Sequence, residues 1–462
     1  MLLSNKERRI YMNDTIAAIS TALGVGAISI IRVSGSEAIK IVNSIFKGKD
    51  LTKVNTHTIN YGHIIDENKI IDEVLVSVMK APKTFTCENI IEINCHGGIA
   101  TTKKILELLL LKGCRLAEPG EFTKRAFLNG RIDLIEAEGV MDLIEAKTEL
   151  SRNVAINQLN GNVTLKIKNL REKLIEIISN IAVNIDYPEY DDVENLTIEK
   201  IKNKLNNISN EMKELLKNSE NGQIIKEGIK TCIIGRPNVG KSSLLNNLLE
   251  EEKAIVTDIE GTTRDIVEGT INLNGILLNI VDTAGIRKTE DIVEKIGVEK
   301  SLKLIKESDL VLFMLNNNEE ITDEEEHILN EIKNKNHIII INKIDLPKKL
   351  IISQNIEQEA IKISATKNIN IDQLKNKIEE VFNLNKIENS DLTYLTNSRS
   401  ISKLRECVDL SYEIEKKLNN NCFIDLLEFD IRSLWKKLGE IIGETYEEEL
   451  IDQMFSRFCL GK

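Results

Sequence analysis

The feature that most constrains this chain is a glycine-framed loop set between a strand-forming run and a helix-forming one. Ile229–Ile234 leads into Gly235-Arg236-Pro237-Asn238-Val239-Gly240-Lys241-Ser242, and Ser243–Leu249 has helical composition. A loop of this kind turns its backbone N–H groups and the N-terminus of the following helix toward phosphate, with glycines permitting close approach. Lys241 is placed to neutralise the β- and γ-phosphates, and Ser242 to ligate Mg²⁺. The surrounding fold must then be a parallel α/β unit.

Eight residues alone also describe an ordinary turn, so the companions decide. Asp282-Thr283-Ala284-Gly285 follows the apolar run Leu277–Val281. Its aspartate suits water-mediated Mg²⁺ contact, and the Gly285 amide suits sensing of the γ-phosphate. Thr262-Thr263 lies between, where a hydroxyl completes the Mg²⁺ shell and orders a switch segment. Asn342-Lys343-Ile344-Asp345 closes another apolar run, His337–Ile341. The Asp345 carboxylate can accept from guanine N1 and N2, a donor pair that adenine lacks, so the pocket is expected to select GTP. In Ser364-Ala365-Thr366 a backbone N–H is expected to meet guanine O6. One departure stands out: the position after Gly285, where a Ras-like protein carries a water-orienting glutamine, is Ile286. Water placement and transition-state charge must come from elsewhere; Arg264 and Arg287 are the local candidates for the charge.

The 462 residues allow two or three cores. Aromatics are only 4%, so those cores rest on Ile, Leu and Val. The net charge of −12 disfavours extensive wrapping of nucleic acid. No apolar run reaches the roughly 18–20 residues a bilayer requires, and the basic N-terminus lacks a following apolar stretch. Seven scattered cysteines without a C-x-x-C pair predict reduced thiols and a cytoplasmic location, and five scattered histidines assemble no zinc site.

Residues 12–125 alternate strand-like segments (Ala27–Val33, Val74–Met79, Ile90–Asn94) with helices at Ser36–Phe46, capped by Ser36, and near Thr101–Leu111. Helical spacing takes over at Ile156, Leu159, Leu170, Leu174, Ile177, Ile178 and Ile181, then at Ile201, Leu205, Ile208, Met212 and Leu215. Residues 228–383 read as strand–loop–helix alternation. Helical spacing returns at Leu404, Val408, Leu418, Ile431, Leu434, Leu438 and Ile441. Lone amphipathic helices need partners, so one helical domain interrupted by an inserted α/β domain is expected.

Beyond the nucleotide motifs, the chain carries Ile31-Arg32-Val33-Ser34-Gly35, Phe85-Thr86, Glu92, His96-Gly97-Gly98, the run Pro119–Gly130 and the terminal Phe458-Cys459-Leu460-Gly461-Lys462. In these features, over nearly its whole length from about Met12, it resembles the tRNA-modification GTPases of the MnmE (TrmE) family. The resemblance implies an α+β folate-binding and dimerisation domain (1–127), a helical domain in two parts (128–225 and 384–462) and a Ras-like P-loop α/β GTPase domain inserted between them (226–383). It implies GTP contacts through Gly235, Asn238, Val239, Gly240, Lys241, Ser242, Ser243, Thr257, Asp258, Ile259, Glu260, Gly261, Thr262, Thr263, Asp282, Thr283, Ala284, Gly285, Asn342, Lys343, Asp345, Ser364, Ala365 and Thr366. K⁺ would be held by Asn238, Thr257, Ile259 and Thr262 in place of an arginine finger, and Mg²⁺ by Ser242 and Thr263. Glu294 would orient the attacking water once two GTPase domains meet. A 5-formyltetrahydrofolate derivative would contact Arg32, Glu92, Arg131 and Lys462, with Cys459 a candidate reactive thiol.

By itself each N-terminal residue has a plainer reading: Arg32 and Glu92 as a surface ion pair, Cys459 as an inert thiol, His96 as a turn residue without a partner. The family implies a homodimer through the N-terminal domain, a heterotetramer with the flavoprotein MnmG, a tRNA substrate modified at C5 of the wobble uridine, and no membrane. The rival reading is a regulatory or ribosome-assembly GTPase without substrate chemistry, which leaves the N-terminal motifs and the terminal Cys459–Lys462 without a role.

Overall fold

The computed structural model describes residues 14–186, 198–250, 269–281, 297–382, 392–420, 424–445 and 448–461. Packing divides the chain into two units. One comprises Met1–Met141, Thr164–Asn206 and Asp409–Lys462; the other comprises Asp142–Val163 and Asn207–Val408.

The first unit opens with β1 (Ile16–Ile19), β2 (Ile28–Ser34), α1 (Ala38–Ile45), β3 (Phe46–Gly48), β4 (Thr58–Asp66), β5 (Lys69–Met79), β6 (Ile90–His96), α2 (Ile99–Leu111), β7 (Arg115–Leu116) and α3 (Glu121–Leu128). Its seven strands form one sheet of order β3-β4-β5-β6-β2-β1-β7, antiparallel except where β7 joins β1. Alternation sorts the side chains into two faces. Ile31, Val33, Val74, Val76, Ile91 and Ile93 are buried with Ala38 and Val42 of α1 and Ile105 and Leu109 of α2. The opposite face carries Arg32, Glu92, Ser77 and Ile59 in one cross-strand row. Tyr61 and Leu75 pair in the next row and, like Ile59, are exposed.

The entry to α1 departs from the expected cap. Glu37 holds the N-cap position without a side-chain cap bond, and its own N–H donates to Thr15 Oγ1 at 3.2 Å. Ser36 is displaced because Gly35, at φ 142°, turns the chain against β1; a Cβ there would lie 2.6 Å from Thr15 Oγ1.

Four helices follow: α4 (Leu134–Glu145), α5 (Glu149–Leu159), α6 (Asn162–Asp186) and α7 (Ile198–Glu227). The expected stripe of α6 (Leu170, Leu174, Ile177, Ile178, Ile181) and that of α7 are buried throughout, each side chain contributing about 1.5–3 kcal/mol. In α5 the phase differs: Val154, Ala155 and Gln158 are buried, while Ile156 and Leu159 are half-buried. Gly161, at φ 74°, separates α5 from α6, so the period of one does not continue into the other.

Within the first unit, α6 packs on α14 (Ile424–Ile442). The Arg171 guanidinium lies 4.2 Å from the Trp435 ring centroid and donates to the Trp435 carbonyl at 3.2 Å. Helices from both sides of the α/β stretch thus meet within the first unit. The last helix is α15 (Glu448–Phe455).

The second unit is built on β8 (Ile229–Ile234), α8 (Lys241–Glu250), β9 (Thr270–Leu273), β10 (Ile276–Ile280), α9 (Gly297–Glu307), β11 (Leu310–Asn316), α10 (Asp323–Ile332), β12 (His337–Asn342), α11 (Gln354–Glu359), β13 (Ile361–Lys362) and α12 (Ile371–Val381); α13 (Ser398–Asn419) begins within it. The sheet order is β13-β12-β11-β8-β10-β9, parallel except for β9. β9 and β10 join through Asn274-Gly275, both at positive φ, the tight turn that matches strand twist. Every residue of β11 is buried, as expected of a strand covered on both faces.

Candidate functional site

The loops after β8, β12 and β13 leave the same end of the parallel sheet, where α/β folds bind ligands. Gly235 and Gly240 frame the first loop at φ 153° and 104°. A Cβ on Gly240 would lie 2.2 Å from Asn342 Nδ2, so only glycine fits. Asn238 sits in the left-handed region at φ 61°, a conformation asparagine tolerates better than most residues. Lys241 folds back to donate to the Gly235 and Arg236 carbonyls at 2.7 and 2.8 Å. Burial holds its ammonium below the ordinary lysine range, an environment that favours an anionic partner. Ser242 and Ser243 occupy the first turn of α8, so the Ser242 hydroxyl can act as a Mg²⁺ ligand beside phosphate.

Asn342 locks three loops together. Its Nδ2 donates to the Val239 carbonyl at 2.7 Å, and its Oδ1 accepts from the Ala365 N–H at 2.9 Å. Its own carbonyl accepts from Asn317 N–H at 2.9 Å. The Lys343 backbone is left-handed, at φ 63°, which lets the chain turn from the strand toward Asp345. Asp345 Oδ1 accepts from Ser364 Oγ at 2.7 Å, and that bond keeps the carboxylate below its ordinary pKa. Asp345 is thus held ionised beside the loop formed by Ser364, Ala365 and Thr366, ready to accept from paired N–H donors.

Two supports were not legible in the sequence. Asn247 on α8 donates to the Ala365 carbonyl. Arg236 donates to Glu325 Oε1 at 2.9 Å, and Glu325 belongs to the capping box that starts α10. Thr257, Asp258, Ile259, Glu260, Gly261, Thr262, Thr263, Asp282, Thr283, Ala284, Gly285, Arg264, Ile286, Arg287 and Glu294 lie outside the described residues.

A second constellation lies in the first unit. Arg32 and Glu92 are cross-strand partners, with Nε and Nη2 at 2.9 and 2.8 Å from Glu92 Oε1. The Arg32 guanidinium lies 5.6 Å from the Phe122 ring and 6.0 Å from the Phe85 ring. Arg131 stacks on the same Phe85 ring at 4.8 Å and donates to the Phe85 carbonyl at 3.2 Å. Phe85 and Phe122 therefore join residues that the sequence could only place far apart.

The terminal segment docks on this unit. The Cys459 carbonyl accepts from Gly120 N–H at 3.3 Å, and the Gly461 carbonyl accepts from Ser20 Oγ at 2.9 Å. Phe458 is buried against Gly120 and Phe455. Cys459 itself is an exposed free thiol; Lys462 lies outside the described residues. His96, for which the sequence identified no partner, has one: its Nδ1 lies 2.7 Å from Asp72 Oδ1 on β5.

The motif Pro119–Gly130 is explained by a buried ion-pair network. Arg125, 1% exposed, reaches Asp14, Glu88 and Glu121, while Ser34 Oγ lies 2.7 Å from both Thr86 and Glu88. The network ties the end of β2, the loop around Phe85 and α3 together.

Known proteins match this sequence over nearly the whole chain. A family model for the MnmE helical domain matches residues 134–459, and one for the GTP-binding protein TrmE N-terminus matches residues 15–131. The chain belongs to the MnmE (TrmE) family of tRNA modification GTPases. It is 54% identical to the tRNA modification GTPase MnmE of Lactococcus lactis subsp. lactis (strain IL1403), covering 97% of this chain and 98% of that protein. The MnmE proteins of Bacillus cytotoxicus and Streptococcus thermophilus are 52% and 53% identical, each covering 97% of this chain, and 99% and 98% of their own lengths. As a member of the MnmE family the chain is a multidomain GTPase. Among the described residues no helix is long and apolar enough to cross a membrane.

Proposed function

We propose that this chain hydrolyses GTP in a K⁺-dependent manner to drive, with the flavoprotein MnmG, addition of a carboxymethylaminomethyl or aminomethyl group to C5 of the wobble uridine of certain tRNAs. A one-carbon folate supplies the carbon. The observation that carries this over a purely regulatory GTPase is the Arg32–Glu92 pair on the open sheet face, flanked by Phe85 and Phe122. A switch protein has no use for a second polar and aromatic site remote in sequence from its nucleotide.

The residues present suit the ligands. Glu92 is oriented by Arg32 to accept from pterin N–H donors, and Arg131 is placed to meet a folate carboxylate. Oxygen donors at Asn238, Thr257, Ile259 and Thr262 suit a hard monovalent cation near the β/γ bridge, where charge develops and no arginine finger is assigned. Ser242 and Thr263 would hold Mg²⁺. Glu294 would order the attacking water when two GTPase domains meet. Cys459 is proposed as the thiol nearest the folate because the terminal segment is anchored to Gly120 and Ser20. GTP turnover then acts as a ligand-biased switch between open and closed pairs of GTPase domains. The exposed Ile59, Tyr61 and Leu75 on the open sheet face support a homodimer through the N-terminal domain.

Calorimetric titration with 5-formyltetrahydrofolate tests the carbon-donor assignment: saturable binding that is lost in Glu92→Gln is expected, and no heat at millimolar ligand returns the regulatory reading. Replacing K⁺ by Na⁺ should slow turnover more than tenfold; equal rates would remove the cation from the account.

A further inference from the structure

Beside Arg131 the first unit contains a cleft of about 490 Å³, within the range of small-molecule sites. It is lined by Lys83, His57 and Arg131 together with the apolar Met79, Pro82 and Phe85, and no carboxylate lines it. In a chain of net charge −12 that is a local reversal of sign. Lys83 is exposed and has no hydrogen-bond or ion-pair partner among the described residues, whereas nearby Lys80 is spent on the Val54 carbonyl at 2.6 Å. Glu136, which feels the charge of Arg131, is tied back to the Asp133 N–H at 2.8 Å. The cleft is therefore cationic, with an uncommitted ammonium at its wall.

Its position gives the anion an identity. Phe85 lines the cleft, carries Arg131 on its face and is also within 6.0 Å of the Arg32 guanidinium. The cleft thus shares Phe85 and Arg131 with the site proposed for the folate, and Arg131 is the residue proposed above to meet a carboxylate. Folates are extended from that carboxylate by further γ-linked glutamates, each adding one negative charge on a flexible chain. We infer that the cleft of Lys83, His57 and Arg131 binds the oligo-γ-glutamate tail of the folate; this rests on the folate reading of the neighbouring residues. RNA phosphate is the competing anion. The cleft is open, but its cationic side chains are interleaved with Met79 and Pro82, and a peptide-like tail has methylenes to lay on them between its charges, which a phosphate backbone lacks.

The test compares 5-formyltetrahydrofolate with its triglutamate by calorimetry on the full chain at low salt. Two added carboxylates, each gaining the modest energy of a partly exposed ion pair, should tighten Kd by about tenfold. In Lys83→Gln the ratio between the two ligands should fall below about threefold, while Lys103→Gln, an equal change of charge on the exposed side of α2, should preserve it. Equal Kd values in the wild type, or a ratio retained in Lys83→Gln, overturn the tail site while leaving the folate reading intact. If neither ligand binds, both fall. Equal folate affinities together with weaker tRNA binding by Lys83→Gln would assign the cleft to RNA instead.

Discussion

Single atoms decide the nucleotide site. Gly240 has no room for a methyl group, since its Cβ would sit 2.2 Å from the amide of Asn342 at a φ of 104°. Gly240→Ala must either displace Asn342, breaking its bonds to Val239 and Ala365, or distort the loop. A loss of GTP affinity of at least a hundredfold is expected, since about 3 kcal/mol of strain and lost hydrogen bonding is involved; near-normal affinity by nucleotide titration would refute the packing argument. A pH effect belongs at this scale too. The hydrogen bond to Asp72, with its charge, raises the His96 pKa above its ordinary value. A raised histidine adds stability below its unfolded pKa of about 6.5, and the gain is lost as pH rises through the folded value. In Asp72→Asn the His96 titration followed by NMR should move down toward the ordinary value, and an unmoved curve would mean the contact is not made in solution.

At the level of elements, Arg125 on α3 holds together parts of the chain that sequence reading kept separate. Burial opposes ionisation of Glu121, but the Arg115 hydrogen bond, the Glu118 N–H and Arg125 outweigh it and lower its pKa. Asp14 is lowered in the same way, its burial outweighed by Arg115 and Arg125. Such carboxylates stabilise the fold above their ordinary range near pH 4 and lose that contribution as pH falls through the lowered values. Arg125→Met leaves the largely buried Glu88 without an ion-pair partner among the described residues, and Asp14 and Glu121 with Arg115 alone. It should cost about 3 kcal/mol, seen as an earlier urea transition at pH 7 and a flatter acid limb; a shift under about 1 kcal/mol would show the network to be ornamental. The same elements show what sequence could and could not tell. The β8 loop, the Asn342–Asp345 turn and the stripes of α6 and α7 were legible because spacing and local chemistry are written within a few residues. The α5 phase was lost at Gly161, the α1 cap was lost to Thr15, which precedes β1, and the Asp72 partner of His96 is 24 positions away. Phe85 was known only as part of a motif; that it carries both Arg32 and Arg131 depends on contacts between segments 46 or more positions apart, which no local pattern encodes.

At the scale of the whole molecule the open face of the N-terminal sheet carries the proposed dimer contact. Its row Ile59, Ser77, Glu92 and Arg32 runs beside Tyr61 and Leu75, and Ile59 and Tyr61 are 69% and 60% exposed. Large apolar side chains on adjacent strands of one sheet face suit an association surface, and in the homodimer proposed above a second copy of the same face would meet it through a two-fold axis. The Arg32–Glu92 pair shares that face, so dimerisation and ligand binding should be linked: a ligand seated on the pair also bears on the facing copy. Replacing Tyr61 and Leu75 together by Asp should convert a dimer to monomer in sedimentation while leaving GTP affinity within about threefold, because both residues belong to the other packing unit. Folate affinity should fall in the same variant, by the amount the second copy contributes through linkage. A variant that remains dimeric would move the interface elsewhere, and one that turns monomeric with unchanged folate affinity would show each copy to bind its ligand alone.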